Sequence, residues 1–418
     1  MTKTTFSATL ARLNARINWE RRDRSKGWRV DLAPIAALLR ALDEPQMGYQ
    51  LVHVAGSKGK GSVSSLVSQA LRLGGERVGT YGSPHVESIT ERVRIDGDCI
   101  GEAELGVAIE SVLAVVEAAE AKGDVAGEAS WFDIMTAAAL VAFRSAGVSY
   151  AVLEVGLGGR LDSTNVIPSP AVAVVTTIAL EHTEILGSTH GAIATEKGGI
   201  VKTGCHFVSG CDPNSEAGEV LAEIAAVRGV AAHVVAWSPD DTTFEQMNVR
   251  VARAAAAALA ERGLARVSVD DAVIRAARLP GRMEYGTALG VPVVLDGAHV
   301  PGSMLMAVLE ASRRHLGPFW VVLAVHHEKD AGALAEPLVG RAAGLIATTV
   351  PGTGVHLSEA ELAERISGAD VIAVSDPQEA LREAARLAHS QPGGWVFVTG
   401  SLYLLGAVGP LMDRGDPN

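Results

Sequence analysis

One short stretch carries the residue types that hold phosphate: Gly56-Ser57-Lys58-Gly59-Lys60-Gly61-Ser62. Glycines permit positive φ and let backbone N–H groups approach an anion closely. Lys60 offers a charge for β- and γ-phosphates, and Ser62 a hydroxyl for Mg²⁺ or a phosphate oxygen. The spacing G-x-x-G-K-G-S is shorter than the common G-x-x-x-x-G-K-[ST] loop and sets a glycine between Lys60 and Ser62. Glycine turns also occur where nothing binds, so the flanking elements decide. A second set has metal chemistry: the Ser83 hydroxyl, the Glu154 carboxylate and the His182 imidazole. With phosphate oxygens they can complete an Mg²⁺ shell, although His is an unusual ligand for that ion. Asp296 and His299 are further polar candidates.

The flanking elements support phosphate binding. Leu51 to Ala55 reads as a buried strand, and Leu66, Val67, Ala70 and Leu71 recur at helical spacing after the loop. A helix starting there adds N–H donors and positive dipole. Further strands are expected at Val78–Gly82, Tyr150–Val155, Ala171–Ile178 and His206–Ser209. Ser83, Glu154 and His182 fall at strand ends, where open α/β sheets bind ligands. Ile89–Asp96 alternates polar and apolar residues before a turn at Gly97-Asp98. Helical patterns cover Leu32–Leu42, Leu105–Ala121, Trp131–Phe143, Glu196–Lys202 and 247–262. The basic cluster Arg21, Arg22, Arg24, Lys26 and Arg29 lies in an expected loop and reads as a solvated surface.

Pro and Gly break the pattern at Leu279–Glu284. The domain boundary is set there, giving 1–283 and 284–418. Beyond it strands are expected at Val291–Leu295, Phe319–Val325, Gly344–Thr348, Val371–Val374 and Trp395–Val398, with helices such as Met304–His315 and Ser358–Ile366 between. The fold class is α/β: an N-terminal P-loop-type parallel-sheet ATPase domain plus a smaller C-terminal Rossmann-like α/β domain.

A net charge of −12 over 418 residues argues against non-specific nucleic-acid binding. An anionic substrate must therefore be held by local Lys, Arg, metal or helix ends. Cys99, Cys205 and Cys211 fit no zinc spacing and read as reduced thiols. No apolar run reaches membrane-spanning length, and Met1–Ser7 has no signal-peptide core. The expectation is a monomeric cytoplasmic enzyme with small-molecule substrates and no nucleic-acid or membrane partner.

The motifs in order resemble the folylpolyglutamate synthase/dihydrofolate synthase family, within the Mur ligase superfamily. His53-Val-Ala-Gly-Ser-Lys-Gly-Lys-Gly-Ser62 is similar to H-V-A-G-T-N-G-K-G-S. Ser83-Pro-His85 with Glu91-Arg92 resembles S-P-H…E-R. Glu154-Val-Gly-Leu-Gly-Gly-Arg-Leu-Asp162 with Thr164-Asn165 resembles E-V-G-L-G-G-R-L-D-A-T-N. Leu180-Glu-His-Thr-Glu-Ile-Leu-Gly187 resembles L-D-H-T-x-x-L-G, and Glu196-Lys-Gly-Gly-Ile200 resembles E-K-A-G-I. Pro280-Gly-Arg282, Asp296-Gly-Ala-His299 and Val398-Thr-Gly-Ser-Leu-Tyr403 complete the set, which spans most of the chain.

The resemblance implies an ATP-dependent amide ligase that adds L-glutamate to a folate-type acid through an acyl phosphate. Gly59, Lys60 and Gly61 would cradle ATP phosphates; Ser83, Glu154 and His182 would match Mg²⁺ ligands. Lys197 would match a lysine carbamylated by CO₂, which could hold a second Mg²⁺. Lys60, Lys197 and His182 are thus the catalytic candidates. Asn248, Arg282 and Asp296 would match ATP contacts, with His299 beside them. Two domains closing over the site would exclude water from the acyl phosphate. Alternatives are a Mur-type ligase for a non-folate acid and a nucleotide-binding paralogue without ligase activity.

Several positions depart from the family pattern. Lys58 stands where Asn is usual, Val300 replaces the Asn of D-G-A-H-N-P, and Asp133 stands where a Glu is usual near the pterin pocket. His326-His-Glu-Lys-Asp330 only partly resembles D-K-D, and the segment after Thr348-Thr349 lacks the usual Pro-Arg pair. The region Trp19 to Trp28 also differs.

Overall fold

The computed structural model describes residues 3–18, 31–235, 243–351 and 355–413. The basic cluster Arg21 to Arg29 and the region Trp19 to Trp28 lie outside the described residues. The chain packs as two compact units, Met1–Pro84 with Ile89–Arg278, and His85–Ser88 with Leu279–Asn418.

In the first unit the strands are Gln50–Ala55 (β1), Val78–Tyr81 (β2), Val93–Ile95 (β3), Asp98–Cys99 (β4), Tyr150–Glu154 (β5), Val172–Val175 (β6), His206–Ser209 (β7) and Ala232–Val234 (β8). Its helices are Lys3–Asn14 (α1), Ala33–Ala41 (α2), Lys60–Leu73 (α3), Glu102–Glu120 (α4), Trp131–Ala146 (α5), Thr183–Leu186 (α6), His190–Gly198 (α7), Glu216–Val227 (α8), Phe244–Glu261 (α9) and Asp271–Ala276 (α10). Among the described residues the strands form one sheet of order β4-β3-β2-β5-β1-β6-β7-β8. β1 runs parallel to β5 and β6, in the centre. These strands read as continuous apolar runs because helices cover both faces. Residues of α4 and α5 pack one core and residues of α3 and α9 another.

The sheet is not wholly parallel. β3 and β4 pair antiparallel at one edge. Too few residues separate them for a crossover, so a tight reversal is the available solution. Asp96 and Gly97, both at positive φ (52° and 90°), make that turn, one residue earlier than the sequence pattern placed it. The expected helix Glu196–Lys202 begins earlier, at His190, and ends at Gly198 where two glycines stand together.

The second unit holds strands Glu284–Ala288 (β9), Val291–Asp296 (β10), Phe319–Leu323 (β11), Gly344–Ala347 (β12), Val371–Ala373 (β13) and Trp395–Thr399 (β14). Its helices are Pro301–Arg314 (α11), Ala331–Ala335 (α12), Glu359–Arg365 (α13), Pro377–His389 (α14) and Leu402–Val408 (α15). The sheet order is β13-β12-β11-β14-β10-β9, parallel except for β9. Residues of α11, α12 and α13 pack one face and residues of α14 and α15 the other.

Candidate functional site

The loop after β1 is fastened to the segment after β6. The two strands are neighbours, so their carboxyl ends emerge side by side. The Ser57 N–H donates to Thr177 O at 2.6 Å, and the Ala179 N–H to Ser57 Oγ at 3.0 Å. Thr176 Oγ1 donates to Lys58 O at 2.5 Å. Gly59 at φ 85° adopts a conformation that suits glycine, and a Cβ there would run into Asn248 Oδ1. Asn248, in α9, thus lies against the glycine loop.

Two lysines converge on one carbonyl. Lys60 Nζ donates to Gly56 O at 2.8 Å, and Lys197 Nζ donates to the same oxygen at 3.0 Å. Lys197 is only 2% exposed and also pairs with Glu181 Oε1 at 2.9 Å. Burial first, then Lys60, lowers the Lys197 ammonium to about 8, against the opposing pull of Glu181. For Glu181 burial works upward, but Lys60, Lys197 and Lys58 outweigh it and hold the carboxyl at about 2. Glu181 lies within the Leu180–Gly187 motif but is not among the sequence's candidate site residues. Its signal was its place beside His182 after a buried strand.

Ser83 and Glu154 come together, the Ser83 N–H lying 3.4 Å from Glu154 Oε2. That follows from the parallel pairing of β2 with β5. His182 takes a left-handed backbone (φ 48°), with its Nδ1 3.8 Å from Glu184 Oε1. A carboxylate and a hydroxyl are hard oxygen donors and suit Mg²⁺. Among the described residues no three His, Cys, Asp or Glu side chains are arranged to hold a metal.

A buried network braces the loop after β5. Asp162 Oδ2 accepts from the Leu157 N–H at 2.9 Å, and Oδ1 accepts from Thr164 Oγ1 at 2.5 Å. Thr164 spends its one hydroxyl proton on Asp162, so His53 Nε2–H donates to Thr164 Oγ1 at 2.8 Å. His53, in β1, is fully buried. Burial, then Lys202, lowers it from 6.5 to about 3. Between those values only the unfolded chain binds the proton. Stability from this group is therefore full above pH 6.5 and falls as pH drops toward 3. The steepest slope is about 1.4 kcal/mol per pH unit. Urea midpoints measured from pH 7 to 5 should fall more steeply for the wild type than for His53→Gln; parallel slopes would contradict this.

Asp133 is used structurally. Its Oδ2 accepts from the Ser130 N–H at 2.8 Å and its Oδ1 from Ser163 Oγ at 2.6 Å, so it caps α5 and ties it to the Asp162 loop. Ser163 stands where the family motif has Ala, so the shorter carboxylate meets an added hydroxyl.

Arg282, Asp296 and His299 belong to the second unit. Asp296 accepts from the N–H groups of Met283 and Ala298, both at 2.9 Å. The Nδ1–H of His299 donates to Gly297 O at 2.8 Å. Val300 occupies the N-cap of α11 and supplies no side-chain cap, the direct consequence of losing Asn there.

Comparison with known proteins settles the family. Residues 281–402 match the family described as Mur ligase, glutamate ligase domain. The folylpolyglutamate synthase of Lacticaseibacillus casei is 30% identical over 406 residues, covering 90% of this chain and 92% of that protein. This chain belongs to the folylpolyglutamate synthase/dihydrofolate synthase family. A probable bifunctional folylpolyglutamate synthase/dihydropteroate synthase of Haloferax volcanii is 33% identical over 402 residues. That match covers 89% of this chain but only 47% of the relative, so the chain spans about half its length. The Mycobacterium tuberculosis folylpolyglutamate synthase complexed with ADP superposes with a TM-score of 0.84 at 27% identity, covering 99% of each chain. A bifunctional folylpolyglutamate synthase/dihydrofolate synthase with Mn, AMPPNP and L-glutamate bound gives 0.79 at 28% identity, covering 96% of this chain and 97% of that one. The α/β architecture expected from the sequence is that of these structures. No helix among the described residues is long and apolar enough to cross a membrane.

Proposed function

We infer that this protein is an ATP-dependent ligase that joins L-glutamate to a folate-type carboxylate through an acyl phosphate. The observation that carries this reading is the convergence of Lys60 and Lys197 on Gly56 O, with Glu181 ionised beside them, in a chain of this family. A carboxylate is a poor electrophile. Its oxygen attacks the γ-phosphorus of ATP, the new O–P bond forms, and ADP leaves with the electron pair of the broken bond. The glutamate nitrogen then attacks the acyl carbon. The tetrahedral adduct expels phosphate and loses a proton, leaving an amide.

The protein's part is positioning and charge. Backbone N–H groups from Gly59 to Ser62 and the ammonium of Lys60 would face the phosphates, with Lys58 as an added cation. Asn248, against Gly59, would border the nucleotide, and the resemblance assigns Arg282, Asp296 and His299 to nucleotide binding as well. Ser83, Glu154 and His182 would hold Mg²⁺, which when bound offsets charge on the transferring phosphoryl. Burial and Lys60 lower the Lys197 ammonium to about 8, which gives a fraction of free amine near neutral pH, the form that attacks CO₂. In that reaction the amine nitrogen bonds the CO₂ carbon and releases one proton. The resulting carbamate is an anion that would hold a second cation.

Phosphate release from ATP, with Mg²⁺ and L-glutamate, tests the reading. Dihydropteroate and tetrahydrofolate serve as alternative acids, each in CO₂-stripped and bicarbonate-supplied buffer. Release requiring both acid and glutamate is expected, and bicarbonate should raise it. Release with neither acid, while ADP still binds, would overturn the ligase assignment. Turnover indifferent to bicarbonate would overturn the carbamate alone.

A further inference from the structure

One buried hydroxyl of α3 stands without a partner. Ser64 is 2% exposed, and its Oγ makes no hydrogen bond among the described residues. A serine inside a helix can give its proton to the carbonyl four residues back, here Lys60 O, and Ser64 does not. A buried polar group left unsatisfied costs stability, so this hydroxyl calls for a partner gained in another state of the protein.

The register of helix on sheet fixes where that hydroxyl stands. α3 begins beyond the carboxyl end of β1 and leads back to β2. Both β1 and β2 run parallel to β5, so the helix runs against the strands. Ser68 Oγ and Thr80 Oγ1 share a hydrogen bond, which sets α3 on one face of β2. Val152, paired with Thr80, packs in one core with Val63 and Val67 of α3. Side chains two residues apart on a strand project alike, so the next positions on this face are Gly82 and Glu154. The Glu154 carboxylate does lie over Gly82: a Cβ there would stand 3.1 Å from Glu154 Oε2. Ser64 is one turn before Ser68, about 6 Å toward the carboxyl ends of the strands. Two strand residues advance about 6.6 Å in the same direction. Ser64 therefore meets Gly82 and the carboxylate over it as Ser68 meets Thr80.

A divalent cation changes what this carboxylate needs. Glu154 is buried, and with Ser83 at the neighbouring strand end it offers the hard oxygen donors that Mg²⁺ takes. A glutamate carboxylate hangs on three rotatable bonds. When it binds a metal, hydrogen bonds to its oxygens hold it in place. The Ser83 N–H, 3.4 Å from Oε2, is a long bond. The Ser64 hydroxyl is a second donor, supplied from the helix layer.

We propose that Ser64 is a positioning residue for the cation site: its hydroxyl donates to the Glu154 carboxylate when that carboxylate takes up the divalent ion. This rests on the assignment of Glu154 to the cation given above. The test measures AMPPNP binding to the full chain by calorimetry, with and without Mn²⁺. Mn²⁺ should tighten AMPPNP on the wild type. That gain should be about tenfold smaller in Ser64→Ala, the scale of losing a partner behind a metal ligand. AMPPNP binding without metal should be the same in both. The urea midpoint of metal-free Ser64→Ala should not fall, because the lost hydroxyl has no partner there. Ser68→Ala, one turn away, should keep the full Mn²⁺ gain.

An undiminished Mn²⁺ gain in Ser64→Ala overturns the proposal. So does a lowered metal-free midpoint, which would show the hydroxyl at work without the ion, and so does an equal loss in Ser68→Ala, which would trace the effect to helix packing. A wild type on which Mn²⁺ does not tighten AMPPNP overturns the cation assignment of Glu154 instead.

Discussion

Lys60→Ala will lower ATP-dependent phosphate release by about 10³-fold, the scale on which a preorganised cation or donor at a transferring group acts. The fold will persist. Lys60 is half-buried, and its hydrogen-bond acceptor, Gly56 O, keeps a second donor in Lys197. No buried polar group is orphaned, so the stability change stays within about 0.5 kcal/mol. The substitution also removes the cation that pushes Lys197 down, so the Lys197 ammonium regains proton affinity and the proposed carbamate would be disfavoured. Single-turnover phosphate release beside a urea titration separates the two effects. Near-normal turnover in Lys60→Ala would sink the phosphate-loop assignment.

What the sequence disclosed is what is local. The glycine loop, its strand and its helix lie within about two dozen residues, and each part shows its own period or residue type. Strand ends follow from apolar runs, so the sequence places Ser83, Glu154 and His182 at the ends of strands. Asn248 was another matter: its approach to Gly59 depends on how α9 packs on α3, and only the resemblance pointed to it. The β9–β10 hairpin escaped notice because its turn is Leu289-Gly290, both at positive φ, where Asn-Gly or Asp-Gly is the usual signal. Lys197 carried no sign of burial in its own segment. It is buried because α7 sets it under the glycine loop beside Glu181.

Glu181→Leu will destabilise the first unit by about 3–5 kcal/mol, and Lys197→Met by less. The two partners of this buried pair are not equivalent. Without Glu181, the Lys197 ammonium keeps one carbonyl and faces Lys60, and its proton affinity falls further because Glu181 was holding it up. Without Lys197, Glu181 still has Lys60 and Lys58 acting on it. The cost of an uncompensated buried charge therefore falls mainly on the first variant. Replacing both at once removes the stranded charge, so the double variant should recover most of the loss, as buried ion pairs exchanged for apolar side chains often do. Native-state hydrogen exchange of the β1 and β6 amides reads this locally, since those strands carry the loop and the Glu181 segment. Equal protection in Glu181→Leu and Lys197→Met would show that Lys58 and Lys60 do not sense Glu181. A double variant no better than Glu181→Leu would show that the carboxylate, not the pairing, holds the segment in place.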